Sequence, residues 1–542
     1  MTVDKIRARR WWILGVLILS LFTATLDNTI LNVALPTLAR ELSATTSQLQ
    51  WMVDSYILVF AGLLLVAGAL SDRFGRRLAL LAGLAIFGVG SIASAFVVTA
   101  DQLILARAFM GVGAALTMPS TLSIIANVFD DDERPKAIAA WSAVSGLGIV
   151  VGPILGGWLL EHFAWNAIFL VNVPVVIAGI VAILLVVPES KAVRAPALDP
   201  VGAALSVAGL VALVYGIIEV PAQGWDDPLI IGSLAAAAVL LGAFLAWERR
   251  VAEPMLDVRL FRNPRFSAAS LSVTLVMFSL MGVLFFLTQY LQGVLGLTAL
   301  ETGVRFVPLA IGVIVSAPIS AALTGRFGAK VATAFGLFVT AGSLALLATV
   351  TVGSGDLLIG SVLAIAGFGL GVAMTPATDA IMGALPKEQA GVGSAVNDTT
   401  REIGGAIGVA VLGSVFSAVY SSRMTEVANL LPAEIGSVVR DSIGGALAVA
   451  GQVGGTSGEA IAAAARSAFV DGMATASLIG MGVAIAGALV ALVWLPARAT
   501  VSAAPSTAPA TPATLFAPEI VPDPTPASVA VAGPVKVQPA VG

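Results

Sequence analysis

The chain of 542 residues is 58% hydrophobic and only 11% charged, with a formal net charge of −4 and a mean hydropathy of +0.98. Soluble proteins carry about 25% charged residues, so a water-exposed globule is excluded and lipid is the expected solvent for most of the chain. Cysteine is absent, which excludes disulfides, thiolate metal sites and cysteine nucleophiles together.

The single His162 cannot build a histidine metal cluster, and the chain has no phosphate-binding loop or nucleophile constellation. No metal, no cofactor and no enzymatic activity are expected, and direct ATP drive within this chain is excluded. No basic tract with interleaved aromatics supports nucleic-acid binding. The expected partners are the bilayer and small molecules.

A helix needs about 20 apolar residues to cross a hydrocarbon core of about 30 Å. On that rule fourteen spans are expected, near 12–36, 51–71, 78–98, 102–125, 137–160, 166–187, 199–220, 228–247, 266–291, 303–324, 331–352, 357–381, 402–421 and 472–496. The first is too long for a signal core and contains Asp27, so it reads as a membrane span. The two spans within 199–247 are interrupted by Gly, Tyr and Glu and are the least regular. Residues 422–471 form a long outer loop with helix-compatible stretches around 433–450 and 459–470, separated by a glycine-rich break. The tail 497–542 is rich in Pro, Ala, Val and Thr and is expected to be a disordered cytoplasmic appendage.

Orientation follows from Lys and Arg in the loops. With the N-terminus (1–11) in the cytoplasm, nearly all basic residues fall on the inner side, including Arg401 at the approach to span 13. Outer segments hold Arg40, Arg423, Arg440 and Arg466, while Arg107 and Arg305 fall within spans. An even number of spans puts both termini in the cytoplasm. The alanine-rich, lysine-poor usage points to a bacterial plasma membrane.

Charge and glycine concentrate in Gly68-Ala69-Leu70-Ser71-Asp72-Arg73-Phe74-Gly75-Arg76-Arg77, between two apolar runs. A second copy, Ala321-Ala322-Leu323-Thr324-Gly325-Arg326-Phe327-Gly328-Ala329-Lys330, lies about 253 residues on. Thr117-Met118-Pro119 against Met374-Thr375-Pro376 repeats at a similar offset. Two related halves are a common transporter architecture, with the substrate site at their interface near the midplane. The expected fold is therefore an all-α membrane protein. It has six-helix bundles at 12–187 and 266–496 and a linker at 188–265 carrying two inserted helices.

The 68–77 stretch resembles the loop signature between helices 2 and 3 of the major facilitator superfamily. Leu103 through Gly113, centred on Arg107, resembles that family's fourth-helix motif. Gly148-Ile149-Val150-Val151-Gly152-Pro153-Ile154-Leu155-Gly156-Gly157 is similar to its fifth-helix antiporter motif. Leu26-Asp27-Asn28-Thr29-Ile30 through Pro36 resembles the first-helix signature of drug:proton antiporters. With fourteen spans, the resemblance is to the 14-helix drug:proton antiporter family, over roughly residues 10–496. It implies proton-coupled multidrug export, an Arg107 acting in proton coupling, and a 68–77 loop that latches the outward-open state; the buried acids with few buried bases point to lipophilic, often cationic substrates, with neutral compounds as the alternative. The alternatives are a dedicated exporter of one metabolite, antibiotic, lipid or siderophore, or a non-transporting membrane scaffold. A monomer is expected.

An intramembrane carboxylate is costly and normally functional. Asp27 should lie about 12 Å and Arg107 about 8 Å below the outer boundary at 1.5 Å per residue, so contact between them is feasible. The alternative for Asp27 is a structural hydrogen-bonding role. Asp27, Asp54 and Asp379 are the candidates for the substrate cavity. Asp54 reads equally as a solvated first-turn acid, and Asp379 as an interfacial acid. Asp72, Arg73, Arg76 and Arg77, with Gly68 and Gly75, are the latch candidates, or no more than positive-inside anchors. Gly325 replaces Asp72 in the second copy, so only the first half should carry a working latch. Gly148, Gly152 and Gly156 share one helix face and permit close helix approach, with Pro153 and Gly157 beside them. They serve either a gating contact or generic membrane packing.

Overall fold

The computed structural model describes residues 3–130, 133–191, 198–251, 254, 256–385 and 390–496. The 497–542 tail and the basic residues Arg194, Lys387 and Lys536 lie outside the described residues. In chain order the helices are α1 (Val3–Glu41), α2 (Thr46–Phe74), α3 (Arg76–Ala95), α4 (Ala100–Val128), α5 (Arg134–His162), α6 (Ala167–Leu170), α7 (Asn172–Val186), α8 (Pro200–Gln223) and α9 (Pro228–Glu248). They continue as α10 (Pro264–Gln289), α11 (Ala299–Arg305), α12 (Val307–Leu347), α13 (Asp356–Met382), α14 (Ala390–Ala428), α15 (Ala433–Asp441), α16 (Ile443–Val453) and α17 (Gly455–Trp494). No strand occurs among the described residues.

Twelve of the described segments are long and apolar enough to cross a membrane. One of them, Ala299–Leu347, contains the 41-residue α12, which at 1.5 Å per residue runs about 60 Å, twice a bilayer core. It breaks at Gly328, whose φ of 84° and ψ of 167° leave the helical region. That break separates the two crossings expected at 303–324 and 331–352. With α5 as a further 29-residue helix, the arrangement is compatible with fourteen crossings. The protein is a multi-pass membrane protein of two helical halves.

The first half is α1–α7 and the second α10–α17, each packed mainly within itself. Small residues set the spacing: a Cβ at Gly113 would meet the backbone of Gly83 and Phe87, and one at Gly336 the backbone of Ala373. Such positions let helices approach where lipid offers no hydrophobic driving force between them.

The irregular segment at 199–247 forms two complete helices because each begins with a cap. Asp199 accepts from Gly202 N and Asp227 from Leu229 N, each followed by proline at the first helical position, and Gly224 (φ 90°) ends α8. Helix α8 lies against both halves. Glu219 accepts Ser47 Oγ at 2.6 Å and Trp51 Nε1 at 3.2 Å from α2, and the Ile217 carbonyl accepts Ser414 Oγ at 2.7 Å from α14. The expected outer loop is mostly helical: α15 and α16 form a hairpin capped by Ser442, and α17 starts at the second residue of the positive-φ pair Gly454-Gly455.

Direct hydrogen bonds between the halves gather at one end, the one that the basic-residue distribution leads one to expect outside. Gln292 donates to the Val33 carbonyl at 2.8 Å, Gln50 to the Val409 carbonyl at 3.0 Å, and Thr46 to the Asp441 carbonyl at 2.6 Å. None joins the halves at the opposite end among the described residues.

At that opposite end of the first half, Arg10 makes a forked contact with Glu133, Nε to Oε2 at 2.6 Å and Nη2 to Oε1 at 2.9 Å. That hydrogen bond holds the Glu133 carboxyl below its ordinary value. A lowered folded-state value stabilises at neutral pH and is lost on acidification through the carboxylate range, below about pH 4. Thermal midpoints of wild type and Arg10→Gln should therefore differ at neutral pH and converge in acid; a constant difference would contradict the tie.

Candidate functional site

Asp27 on α1 and Arg107 on α4 are 2% and 0% exposed, and the Arg107 Nη1 donates to Asp27 Oδ2. Arg107 also donates from Nε to the Met52 carbonyl at 3.2 Å, and its guanidinium carbon sits 4.4 Å from the centroid of the Tyr56 ring. The second carboxylate oxygen, Oδ1, accepts Asn172 Nδ2 at 2.8 Å. Asn172 also donates to Ser91 Oγ at 3.0 Å, and Ser91 Oγ to the Phe169 carbonyl. Helices α1, α2, α3, α4 and α7 thus converge on one buried ion pair. Arg107 Nη2 has no hydrogen-bond partner. Asn172 and Tyr56 carry no signal of their own in the sequence, since a polar residue starting an apolar helix is common and a tyrosine inside one reads as packing.

A cavity of about 180 Å³ lies between the halves. Thr25, Asn28, Thr29 and Asn32 of α1 form a polar wall, and Met277 and Met281 of α10 face the same space. Its charged lining residues are Arg401 and Glu402 of α14. Asp27 stands behind this wall rather than in it, and Asp54 and Asp379 are likewise not among the residues that line the cavity in this conformation. The sequence puts Arg401 in an inner loop because the polar run Asn397-Asp398-Thr399-Thr400-Arg401 lowers the hydropathy. Helix α14 instead starts at Ala390, which carries Arg401 and Glu402 inside it.

Asp54 is 0% exposed and neither of its oxygens has a hydrogen-bond partner. Helix α2 starts at Thr46, two turns before it, so a solvated first-turn position is ruled out. Asp379 is exposed near the C-terminal end of α13, close to Arg265, whose guanidinium would meet a Cβ at Gly383.

The 68–77 loop is held inside the first half. Asp72 pairs with Arg76 at 2.8 Å, and Arg76 reaches the Ser123 carbonyl at 3.3 Å, while its backbone N–H donates to the Ser190 carbonyl. Arg77 donates to the Leu184 carbonyl at 2.8 Å and, from its backbone, to Glu189 Oε1 at 3.2 Å. Gly75 turns the chain with a φ of 130°, and a Cβ there would meet Glu189 Oε1. The Pro188-Glu189-Ser190 segment is therefore part of the loop's support, a link invisible without the fold. In the second copy Gly328 takes the matching left-handed turn, while Gly325 leaves the Asp72 position without a side chain.

Gly148, Gly152 and Gly156 face α1. Added Cβ atoms would meet Thr25, Thr29 and Ile30 in turn, and Thr29 Oγ1 donates to the Gly148 carbonyl at 2.9 Å. Gly157 and Pro153 face the other half: a Cβ at Gly157 would meet the Ala299–Leu300 backbone, and one at Gly303 the Pro153 carbonyl.

Residues 17–409 match a family model described as Major Facilitator Superfamily. The chain is 34% identical over 495 residues to the tetracenomycin C resistance and export protein of Streptomyces glaucescens, covering 90% of this chain and 92% of that protein. It is 36% identical over 492 residues to the multidrug efflux pump LfrA of Mycolicibacterium smegmatis, covering 89% and 95%. In fold it is similar to a bacterial homolog of the human lysosomal transporter Spinster, solved inward-facing and unoccupied. That similarity has a TM-score of 0.66 at 19% identity, over 91% of this chain and 98% of the other.

Proposed function

The chain belongs to the Major Facilitator Superfamily, and from that premise we propose that it is a proton-driven exporter of lipophilic compounds in the bacterial plasma membrane, with both termini cytoplasmic. The observation that carries the reading is the buried Asp27–Arg107 pair directly behind a cavity walled by amides, hydroxyls and methionines. Flexible, apolar walls with few polar groups tolerate varied shapes. Relatives named for multidrug efflux and for antibiotic export support the direction of transport.

Protonation of Asp27 removes the counter-charge of Arg107, whose side chain must then find other partners; that is the step by which a proton biases one conformation over the other. Coupling requires that proton and substrate each bind the two states with different affinity. A dedicated exporter of one natural product is the second reading, favoured by the relative named for tetracenomycin C. Everted vesicles with an imposed pH gradient separate them. Accumulation of several unrelated lipophilic dyes supports the broad exporter, accumulation of none favours the dedicated one, and accumulation indifferent to the gradient contradicts proton drive.

The 68–77 loop is assigned the latch role. With its contacts confined to one half while the outer end is closed, Asp72 is free to engage the second half when the inner end closes. Asp72→Asn should therefore slow turnover about tenfold, a coupling of about 1.4 kcal/mol, with little change in substrate Kd; a raised Kd at unchanged turnover would contradict the role.

A further inference from the structure

We propose, resting on the export reading above, that the cavity is built for substrates carrying an anionic group as well as a cationic one, with Arg401 binding the anion and Glu402 the cation. The two are consecutive on α14 and supply the only Asp, Glu, Lys or Arg side chains on the cavity wall among the described residues. A pocket selecting plain cations needs the acid alone; a guanidinium beside it repels them.

Arg401 has unspent bonding capacity. The one carboxylate within 4 Å of it among the described residues is Asp398, with Nη1 3.9 Å from Oδ1, longer than a hydrogen bond. Its Nε is enclosed and has no acceptor. The side chain is nevertheless 38% exposed, and it lines the cavity. A guanidinium carries five donors in a planar fork that matches a carboxylate, so an anionic oxygen pair arriving in the cavity meets donors that the protein leaves unused.

Asp398 offsets the Arg401 charge without taking up its donors. It is turned towards Asn397, whose Nδ2 donates to it at 3.4 Å, while Asn397 in turn accepts from Thr378 of α13. Its side chain is 12% exposed, so Asp398 belongs to the α13–α14 packing and Glu402 faces the cavity. Glu402 makes no hydrogen bond among the described residues. A lone cation gains Glu402 and pays repulsion from Arg401, whereas a zwitterion satisfies both. Asn28 and Asn32 on the facing wall offer neutral hydrogen bonds to the remainder of such a molecule, and Met277 and Met281 cover its rings.

Rhodamine B and its ethyl ester are a matched pair: the ring cation is common, and only rhodamine B has a free carboxylate. Binding to purified protein is read by fluorescence anisotropy and transport in proteoliposomes under a pH gradient. Wild type is expected to bind rhodamine B more tightly than the ester. Arg401→Gln should raise the Kd for rhodamine B about tenfold, the worth of a hydrogen-bonded charge pair, without raising that for the ester. Glu402→Gln should weaken both dyes, and retained ester binding by Arg401→Gln shows that the variant is folded. An equal effect of Arg401→Gln on both dyes, no effect on either, or a wild-type preference for the ester overturns the proposal. Arg401-dependent binding of rhodamine B without transport leaves the site standing and removes the export reading.

Discussion

Asp27→Asn should lower pH-gradient-driven export by about a hundredfold, near the upper end of typical coupling free energies, while leaving substrate binding measurable. Asparagine matches aspartate in shape, so the contact with Asn172 and the packing of α1 against α4 can persist. What disappears is the group that takes up and releases a proton. The amide also leaves Arg107 without a counter-charge at 0% exposure, and removing one member of a buried pair costs about 3–5 kcal/mol. A lower thermal midpoint is therefore expected beside the loss of drive. Asp27→Glu separates the two effects, since it keeps a titratable carboxyl at a displaced position: it should retain part of the gradient dependence that the asparagine variant loses. Equal activity of Asp27→Asn and wild type under a gradient would show that the pair is purely structural.

Gly157→Val should abolish transport by a different route. A Cβ at Gly157 already meets the Ala299–Leu300 backbone of the opposite half, and backbone cannot rotate away as a side chain can. Overpacking of this kind costs about 1–3 kcal/mol or more, and the penalty falls only on the state in which the outer ends touch. A penalty of about 3 kcal/mol shifts the balance between the two states by more than a hundredfold. The variant should accumulate open at the outer end and closed at the inner end. The chain has no cysteine, so a single one introduced at Asn28 in the cavity reports this directly. It should resist an impermeant thiol reagent added at the outer face in the otherwise wild-type protein and react in Gly157→Val. A Gly15→Ala control, where an added Cβ meets nothing within 4 Å, should behave as wild type. Failure of the Asn28 cysteine to gain reactivity would contradict the sealing role of the α5–α11 contact.

The helices were legible because membrane burial writes itself as long apolar runs. The meeting of Asp27 and Arg107 was legible because both sit at a similar depth inside such runs, where polar groups must find each other. The glycine face of α5 was equally plain from its spacing of four, although α1 as its partner follows only from the fold. Short polar stretches were misleading. The run 397–401 looks like a loop, yet it is the inner part of α14, because a helix lining a polar cavity need not be apolar on that side. The same bias put Asp54 at the start of α2 when Thr45 caps the helix nine residues earlier with Gln48 completing the capping box. Glu189 and Asn172 act across large sequence separations, and residue type alone does not reveal such partners.

Substrate–proton exchange in proteoliposomes tests the central claim most directly. With a pH-sensitive dye sealed inside and no imposed gradient, an outwardly added substrate moving inward should drive protons outward, raising internal pH. Wild type should show this alkalinisation in proportion to the substrate gradient, and Asp27→Asn should bind substrate without it. Substrate movement in wild type with no proton movement, or an unchanged proton signal in Asp27→Asn, would contradict the account.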